Sequence, residues 1–248
     1  MKKLLLSSVL LSVLFVLQAN AAGGVAGKVI ALDAGHGGGE TGAVNLTYGV
    51  VEADVNWDVV LALEAKLKTQ GAYVVVADRL STRRDRVNDA VAGCASLDID
   101  KDGVSDNRKC DVIVSVHHNS PADATNTTHD GTLTIYTQRS DKPLAQALLS
   151  ALTPLTGNNE GLLNGGYGMT VYKNLVSSIT EAYYITNDCE AELYLYSKGT
   201  TTDISESCKD AGYQLENRID READLQIEGL ANYFNSQSSG GKGGGQPN

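Results

Sequence analysis

This chain has no excess of basic residues. Its 248 residues carry 20 Lys and Arg against 30 Asp and Glu, which gives a formal net charge of −10. Binding of nucleic acid, or of other anionic polymers by general charge attraction, needs the opposite balance. We therefore predict no nucleic-acid partner, and an anionic substrate would have to be held by local positive groups.

A second long apolar run is also missing. The one such run, Leu4 to Leu17, follows Met1-Lys2-Lys3 and precedes Ala19-Asn20-Ala21. A charged start, an apolar stretch and an A-x-A site are typical of a secretory signal peptide, which we predict at residues 1–21. No other stretch approaches the roughly 20 apolar residues that span a bilayer. The sequence thus predicts an exported protein, periplasmic or secreted, without a membrane span.

Closely spaced cysteine pairs of the zinc-knuckle kind are absent as well. The cysteines are Cys94, Cys110, Cys189 and Cys208. An even number in an exported protein indicates structural disulfides, for which three connectivities are open. Proximity in the sequence favours Cys94 with Cys110 and Cys189 with Cys208, each pair closing a local loop.

Hydrophobic patterning predicts strands that alternate with helices. Apolar runs rich in β-branched residues predict strands at 29–32, 72–77, 111–119, 131–137 and 176–184. Apolar residues at helical spacing predict helices at 52–70, 81–94, 143–152 and 215–234. The Gly- and Asn-rich segment 158–170 predicts a mobile loop at the rim of a cleft.

These elements predict an α/β fold with a single domain at residues 22–235. Strands joined through helices pair in parallel, so we expect a mostly parallel central sheet flanked by helices, with disulfide-bounded insertions. Residues 236–248, rich in Gly and Ser, predict a flexible tail.

Several chemistry-bearing side chains are predicted to meet at one edge of this sheet. His36 follows the first strand between glycines, Glu52 begins a helix, and Glu181 lies in an otherwise uncharged strand. The third strand ends in His117 and His118, whose side chains alternate, so at most one of them joins His36. Two His and one carboxylate form a known catalytic zinc set, and the surplus carboxylate can act as a base. This combination predicts zinc-dependent hydrolysis of an amide.

An acidic stretch at 98–110 follows Cys94 and ends at Cys110. Its carboxylates alternate around Gly103 much as the ligands of a calcium loop do, but Lys109 stands where an EF-hand needs a bidentate Glu. The stretch looks more like the DxDxDG loops of thrombospondin type 3 repeats. We predict a structural calcium site here, the alternative being a plain acidic surface loop. The candidate ligands are Asp98, Asp100, Asp102 and Asp106.

Four motifs in order carry a family resemblance. V-I-A-L-D-A-G-H-G-G, then Glu52 at a helix start, then S-V-H-H-N, then I-T-E-A-Y-Y-I-T-N resemble the zinc-dependent N-acetylmuramoyl-L-alanine amidases of the Amidase_3 type. The similarity runs over residues 28–234, essentially the whole predicted mature chain. The acidic insertion and the segment between Cys189 and Cys208 are unusual for that family.

The resemblance implies roles for individual residues. His36, Glu52 and His117 would hold zinc, with His117 chosen over His118 because it matches the family's S-[IV]-H-x-N pattern. Glu181 matches the catalytic Glu, and Asn119 matches the Asn beside the site that orients substrate or a ligand.

The resemblance also implies a reaction, which is cleavage of peptidoglycan between N-acetylmuramic acid and L-Ala of the stem peptide. Since the sequence shows no separate wall-binding repeat, targeting would rely on a protein activator or on the catalytic domain itself. Two alternatives stay open: an exported zinc peptidase acting on another amide, and a catalytically silent, calcium-dependent cell-wall-binding protein.

Overall fold

The computed structural model of the protein describes residues 24–79, 82–123, 125–172 and 174–240. The predicted signal peptide at 1–21 and the end of the predicted tail lie outside these residues. The described part contains six strands: β1 (Val29–Ala34), β2 (Tyr73–Val76), β3 (Val112–Asn119), β4 (Thr132–Tyr136), β5 (Asn159–Asn164) and β6 (Ser177–Tyr184).

Six α-helices accompany these strands within the described ranges. They are α1 (Glu52–Thr69), α2 (Arg83–Ser96), α3 (Lys142–Leu152), α4 (Asp188–Ser197), α5 (Glu206–Asp210) and α6 (Arg218–Gly240). None of the helices in this part of the chain is both long and apolar enough to cross a membrane.

The strands form one mixed sheet in the order β2-β1-β3-β6-β4-β5. Strands β2, β1, β3 and β6 run parallel, whereas β4 pairs antiparallel with β6 and β5 runs parallel to β4. The predicted mostly parallel sheet is confirmed. Because β1, β3 and β6 are adjacent and parallel, their carboxyl ends meet at one edge.

Helices cover both faces of the sheet, as predicted. Helices α1, α3 and α6 pack on one face through Val59, Leu148 and Leu230, against Leu32 and Val114 of the strands. Helix α2 packs on the other face, where Val87 and Ala90 meet Ala31 and Ile113. The alternation of inward and outward side chains along β1 and β3 supplies both layers.

The predicted disulfides are confirmed. Cys94 bonds to Cys110 at the end of α2, and Cys189 bonds to Cys208, with Cα atoms 5.4 Å apart in each pair. Each bond closes a short loop, which in the chain-entropy description is worth roughly 3 kcal/mol. The second bond ties α4 to α5 around a small core of Leu193 and Ile204.

Three predictions about segments are wrong. The stretch predicted as a mobile rim loop contains the edge strand β5, whose mostly exposed side chains give no apolar alternation. The last long helix begins at Arg218 and not at the predicted Leu215. Leu215 lies before the helix and is 43% exposed, so its side chain does not belong to the buried apolar face. That helix continues to Gly240, so residues 236–240 are helical where a tail was predicted.

Candidate functional site

Three of the predicted ligands converge at the carboxyl edge of the sheet. His36 follows β1, Glu52 is the first residue of α1, and His117 lies near the end of β3. His36 Nε2 lies 3.2 Å from Glu52 Oε1, and His117 Nδ1 lies 3.1 Å from the same oxygen. One donor atom from each residue lies within 4.8 Å of the other two, which is the spacing of ligands around a single metal ion.

Two glycines make this convergence sterically possible. A Cβ atom on Gly35 would lie 2.3 Å from the His117 ring. Gly42 has φ +67°, and a Cβ there would lie 2.4 Å from Glu52 Oε2 and 2.6 Å from the His36 ring. Any larger residue at either position would displace a ligand, so both glycines are part of the site.

Hydrogen bonds from the two histidines control the charge of the ligand carboxylate. Burial alone would raise the pKa of Glu52, but contacts with His117 and His36 outweigh burial and hold that pKa well below its usual range. The same contact with Glu52 raises the pKa of His36. Glu52 is therefore an anion at neutral pH, as a metal ligand must be.

A buried arginine that sequence reasoning missed fixes the loop of His36. Arg86 Nη1 donates to the His36 carbonyl oxygen at 2.8 Å, and Arg86 Nε lies 3.0 Å from Asp33 Oδ1. Ser115 Oγ donates to the other Asp33 oxygen at 2.5 Å. This clamp holds His36 at φ +62°, an uncommon backbone conformation for a side chain of its size.

Glu181 lies beside this group, as predicted. It pairs in register with His117 across the parallel strands β3 and β6, so the two side chains share one face of the sheet. Burial, followed by the negative charge of Glu52, raises the pKa of Glu181 well above its usual value. Among the described residues no hydrogen-bonding group acts on the Glu181 carboxyl, which leaves it free to face a bound molecule.

A cleft of about 290 Å³ opens over these groups. His36, His117 and Glu181 line its floor, and Ile135 and Ile179 line a wall. The guanidinium-bearing residue Arg83 and the aromatic residue Tyr167 complete the rim. The arrangement combines a candidate metal-ligand set, a half-buried carboxyl group and a local positive charge.

The two adjacent histidines point to opposite sides, as strand geometry requires. Whereas His117 faces the cleft, His118 is 1% exposed and lies beneath the sheet. Its Nδ1 is 2.7 Å from Asn56 Oδ1 and its Nε2 is 2.9 Å from Glu222 Oε2. His117 is thus the histidine of the pair that lies with His36 and Glu52, and zinc binding by His117 stays a prediction.

Asn119 is not brought into the cleft. Its side-chain oxygen accepts from the Ser120 N–H at 2.8 Å, and the residues that line the cleft do not include it. A role in orienting substrate or a ligand stays a prediction.

The acidic insertion brings part of the predicted calcium set together. Asp98, Asp100 and Asp106 hold carboxylate oxygens within 4.8 Å of one another on the exposed surface. Asp102 is outside this group, and its Oδ1 accepts from the Val104 N–H at 2.8 Å. The other carboxylates also accept backbone N–H groups, such as Gly103 N to Asp98 Oδ2 at 2.9 Å. Calcium binding by this loop stays a prediction.

Comparison with known proteins assigns the family. The model of the Amidase_3 family, N-acetylmuramoyl-L-alanine amidase, matches residues 30–211. Two Bacillus subtilis (strain 168) proteins are similar in sequence. The uncharacterized protein YqiI is 30% identical over 178 residues, which are 70% of this chain and 78% of YqiI. The N-acetylmuramoyl-L-alanine amidase LytC is 27% identical over 175 residues, which are 67% of this chain and 31% of LytC.

A solved structure shares the fold. The catalytic domain of CwlV, an N-acetylmuramoyl-L-alanine amidase from Bacillus (Paenibacillus) polymyxa var. colistinus, has a TM-score of 0.61 and 23% sequence identity. The alignment covers 84% of this chain and 98% of CwlV's domain. The family match spans most of the described domain and includes every candidate ligand, and so this chain belongs to the Amidase_3 family of N-acetylmuramoyl-L-alanine amidases.

Proposed function

We propose that this chain is a zinc-dependent peptidoglycan hydrolase that cleaves the amide between N-acetylmuramic acid and L-Ala of the stem peptide. One observation carries the proposal: His36 and His117 converge on the Glu52 carboxylate next to a second, half-buried carboxylate at Glu181. Membership of the amidase family supports peptidoglycan as the substrate class.

The donor set fits zinc. Two imidazole nitrogens and one carboxylate are the ligands of a catalytic zinc site that keeps a position open. The low pKa of Glu52 keeps that ligand ionised, and the cleft above the three residues gives a substrate access to them. Bound there, zinc would polarise the scissile carbonyl as a Lewis acid and activate a water molecule.

Glu181 would move the protons of the reaction. It takes a proton from the attacking water and delivers it to the amide nitrogen, so that the C–N bond breaks into a lactyl carboxylic acid and the free amine of L-Ala. Burial, which raises the pKa of Glu181, makes this carboxylate a better proton acceptor than an exposed one. Ile135 and Ile179 line the same cleft and would limit the water that can enter beside Glu181.

Arg83 would hold the acidic part of the substrate. It is exposed at the cleft, where none of the described acidic side chains forms an ion pair with it. Stem peptides carry carboxylates, and the chain as a whole is acidic, so attraction of such a substrate depends on a local cation. Arg83 supplies that cation at the mouth of the cleft.

Product analysis tests the proposed function. Purified protein, loaded with zinc or treated with a chelator, is incubated with peptidoglycan, and the soluble products are identified by mass spectrometry. Free stem peptides that begin with L-Ala, released only by the zinc-loaded protein, are the expected result. Cuts within the stem would instead identify a zinc peptidase, and a lack of products with every candidate activator would favour the wall-binding alternative.

Calcium binding by the 98–110 loop is a separate part of this proposal. Three of its carboxylates already lie close together, and bound calcium would reduce their mutual repulsion. Calcium should raise the melting temperature of the protein but not that of an Asp98→Asn variant. No change up to millimolar calcium would contradict the site.

Export and assistance by a protein activator complete the proposal. A peptidoglycan substrate lies outside the cytoplasm, which fits the leader predicted at residues 1–21. Amino-terminal sequencing of protein secreted by an expressing cell should find a chain that starts after Ala21, whereas an uncleaved start would contradict the leader.

A further inference from the structure

A line of buried polar groups lies beneath the candidate metal centre on the side away from the cleft. It runs from Glu52 through Asn56 and His118 to Glu222 on α6. Asn56 and Glu222 are 0% exposed and His118 is 1% exposed. The catalytic scheme above does not use the last three of these residues.

Asn56 connects the ligand to the rest of the line. Its Nδ2 donates to the Gly35 carbonyl oxygen at 3.0 Å and lies 3.4 Å from Glu52 Oε1. These contacts leave Asn56 Oδ1 to face His118 Nδ1, at 2.7 Å. The His118 backbone N–H also reaches Glu52 Oε1, at 3.3 Å, so His118 acts on the ligand by two routes.

Glu222 fixes the His118 ring from the opposite side. Glu222 Oε2 lies 2.9 Å from His118 Nε2, and Gln226 Nε2 lies 3.5 Å from the other Glu222 oxygen. The same Gln226 nitrogen donates to Thr180 Oγ1 at 2.9 Å, directly before Glu181 in β6. Helix α6 thereby contacts the strand of the acid/base residue as well as the line that leads to the ligand.

The energetics of this line favour a role in orientation. Burying an ionisable pair carries a large desolvation cost, and well-packed apolar side chains of similar volume often serve stability as well or better. What apolar residues would not supply is a fixed hydrogen-bond direction at the Asn56 amide. In metal sites, groups that orient a ligand commonly change metal affinity by 10–100-fold.

We propose that His118 is a positioning residue for Glu52, acting through Asn56, and that Glu222 locks its ring. The inference rests on the proposed zinc site and adds residues that touch neither metal nor substrate. It assigns a function to His118, which has no part in the proposed catalytic chemistry.

Zinc affinity tests this role independently of hydrolysis. The zinc dissociation constant is measured by competition with a chromophoric chelator for the wild-type protein, His118→Phe and Asn56→Leu. Each variant should raise the constant by about 10–100-fold. The zinc dissociation constant of the double variant should not exceed that of the weaker-binding single variant, since both substitutions interrupt the same line of hydrogen bonds. Cobalt-loaded His118→Phe should also show shifted visible absorption bands.

A matched control separates positioning from general stability. Glu190 and Arg218 form another buried ion pair, 2.7 Å apart, that does not contact the ligands. Glu190→Gln should lower the melting temperature while the zinc dissociation constant stays within twofold of the wild type. If His118→Phe behaves like this control, the positioning role is wrong.

The outcomes also distinguish failure of the proposed reaction from failure of the positioning role. Wild-type protein that binds zinc yet releases no stem peptides, either alone or with the candidate activators, would overturn the proposed reaction, and the variant series would still decide the role of His118. Wild-type affinity in His118→Phe, combined with release of stem peptides by the wild type, would overturn the positioning role alone.

Discussion

His117 and Glu181 occupy the same register position on two neighbouring parallel strands. This relationship places one candidate metal ligand and the candidate acid/base group side by side on two strands of a rigid sheet. Since Glu181 is not one of the three residues whose donor atoms converge, its carboxyl can be removed without removing a candidate ligand.

Glu181→Ala should therefore abolish turnover while zinc still binds. Removal of a general acid/base group typically lowers kcat by 10²–10⁴-fold. Zinc content by atomic absorption and release of stem peptides would be measured on the same preparation. Glu228→Gln, on an exposed position of α6, is the control that should retain activity. Full turnover in Glu181→Ala would remove this residue from the mechanism.

Arg86→Met should destabilise the domain. The Arg86 and Asp33 side chains are 5% and 1% exposed, and loss of one partner leaves a buried, unpaired charge. Such a change commonly costs about 3–5 kcal/mol in the free energy of unfolding. Arg84→Met, at an exposed neighbouring position, should cost less than about 1 kcal/mol. Chemical denaturation measures both, and equal losses would contradict the clamp on His36.

Arg83→Ala should raise KM and leave kcat nearly unchanged. An exposed ion pair to a substrate carboxylate is worth about 1 kcal/mol at most, which corresponds to roughly fivefold in KM. The effect should shrink at high salt, because salt screens exposed charges. A soluble muropeptide with amidated stem carboxylates should show no difference between the two proteins. An unchanged KM for the acidic substrate would exclude Arg83 from binding.

The surroundings of Glu192 predict that the folded protein loses stability in acid. Burial alone would raise its pKa, but the Ser205 N–H at 2.6 Å and the Tyr48 hydroxyl hold the pKa of Glu192 below its usual value. The contact with Glu192 is also the main reason why the pKa of Tyr48 is raised to about 12.

A carboxylate with a lowered pKa in the folded state stabilises the fold above its unfolded pKa, and this stabilisation is lost as the pH falls through the folded pKa. The wild type should therefore exceed Glu192→Gln in melting temperature at pH 7, and the difference should shrink as the pH falls below about 4. A difference that does not change with pH would show that the charge of Glu192 is unimportant.

The fold was predictable where strands are buried on both faces. The apolar, β-branched runs around Ile30 and Val114 are typical of interior strands, and the helix that starts at Glu52 follows from its apolar spacing. Strand β5 gave no such signal, because it lies at the sheet edge with exposed side chains and its stability comes from pairing with β4. Helix α4 lies in a segment between cysteines that sequence reasoning treated only as an insertion, although Asn187 caps its first turn.

The candidate residues at or after strand ends were predictable from the sequence. The buried residues that support them, such as Arg86 and Glu222, were less so. His36 and Glu181 are candidates because of their places after or in apolar strands, whereas strand alternation leaves His117 and His118 open and only the family pattern favours His117. A signal for Arg86 exists, since it stands one helical turn before Ala90 on the buried face of α2. The pairing of Glu222 with His118 had no local signal, because it depends on how α6 packs against α1 and β3.

The sheet order also has a consequence for how the site forms in time. Strands β3 and β6 are neighbours in space, yet β4, α3 and β5 all lie between them in the chain. Contacts between such distant segments are entropically expensive to close and are associated with slow folding. His117 and Glu181 come together only when this pairing is complete, so hydrolytic activity should return in the same late refolding phase that completes the central sheet.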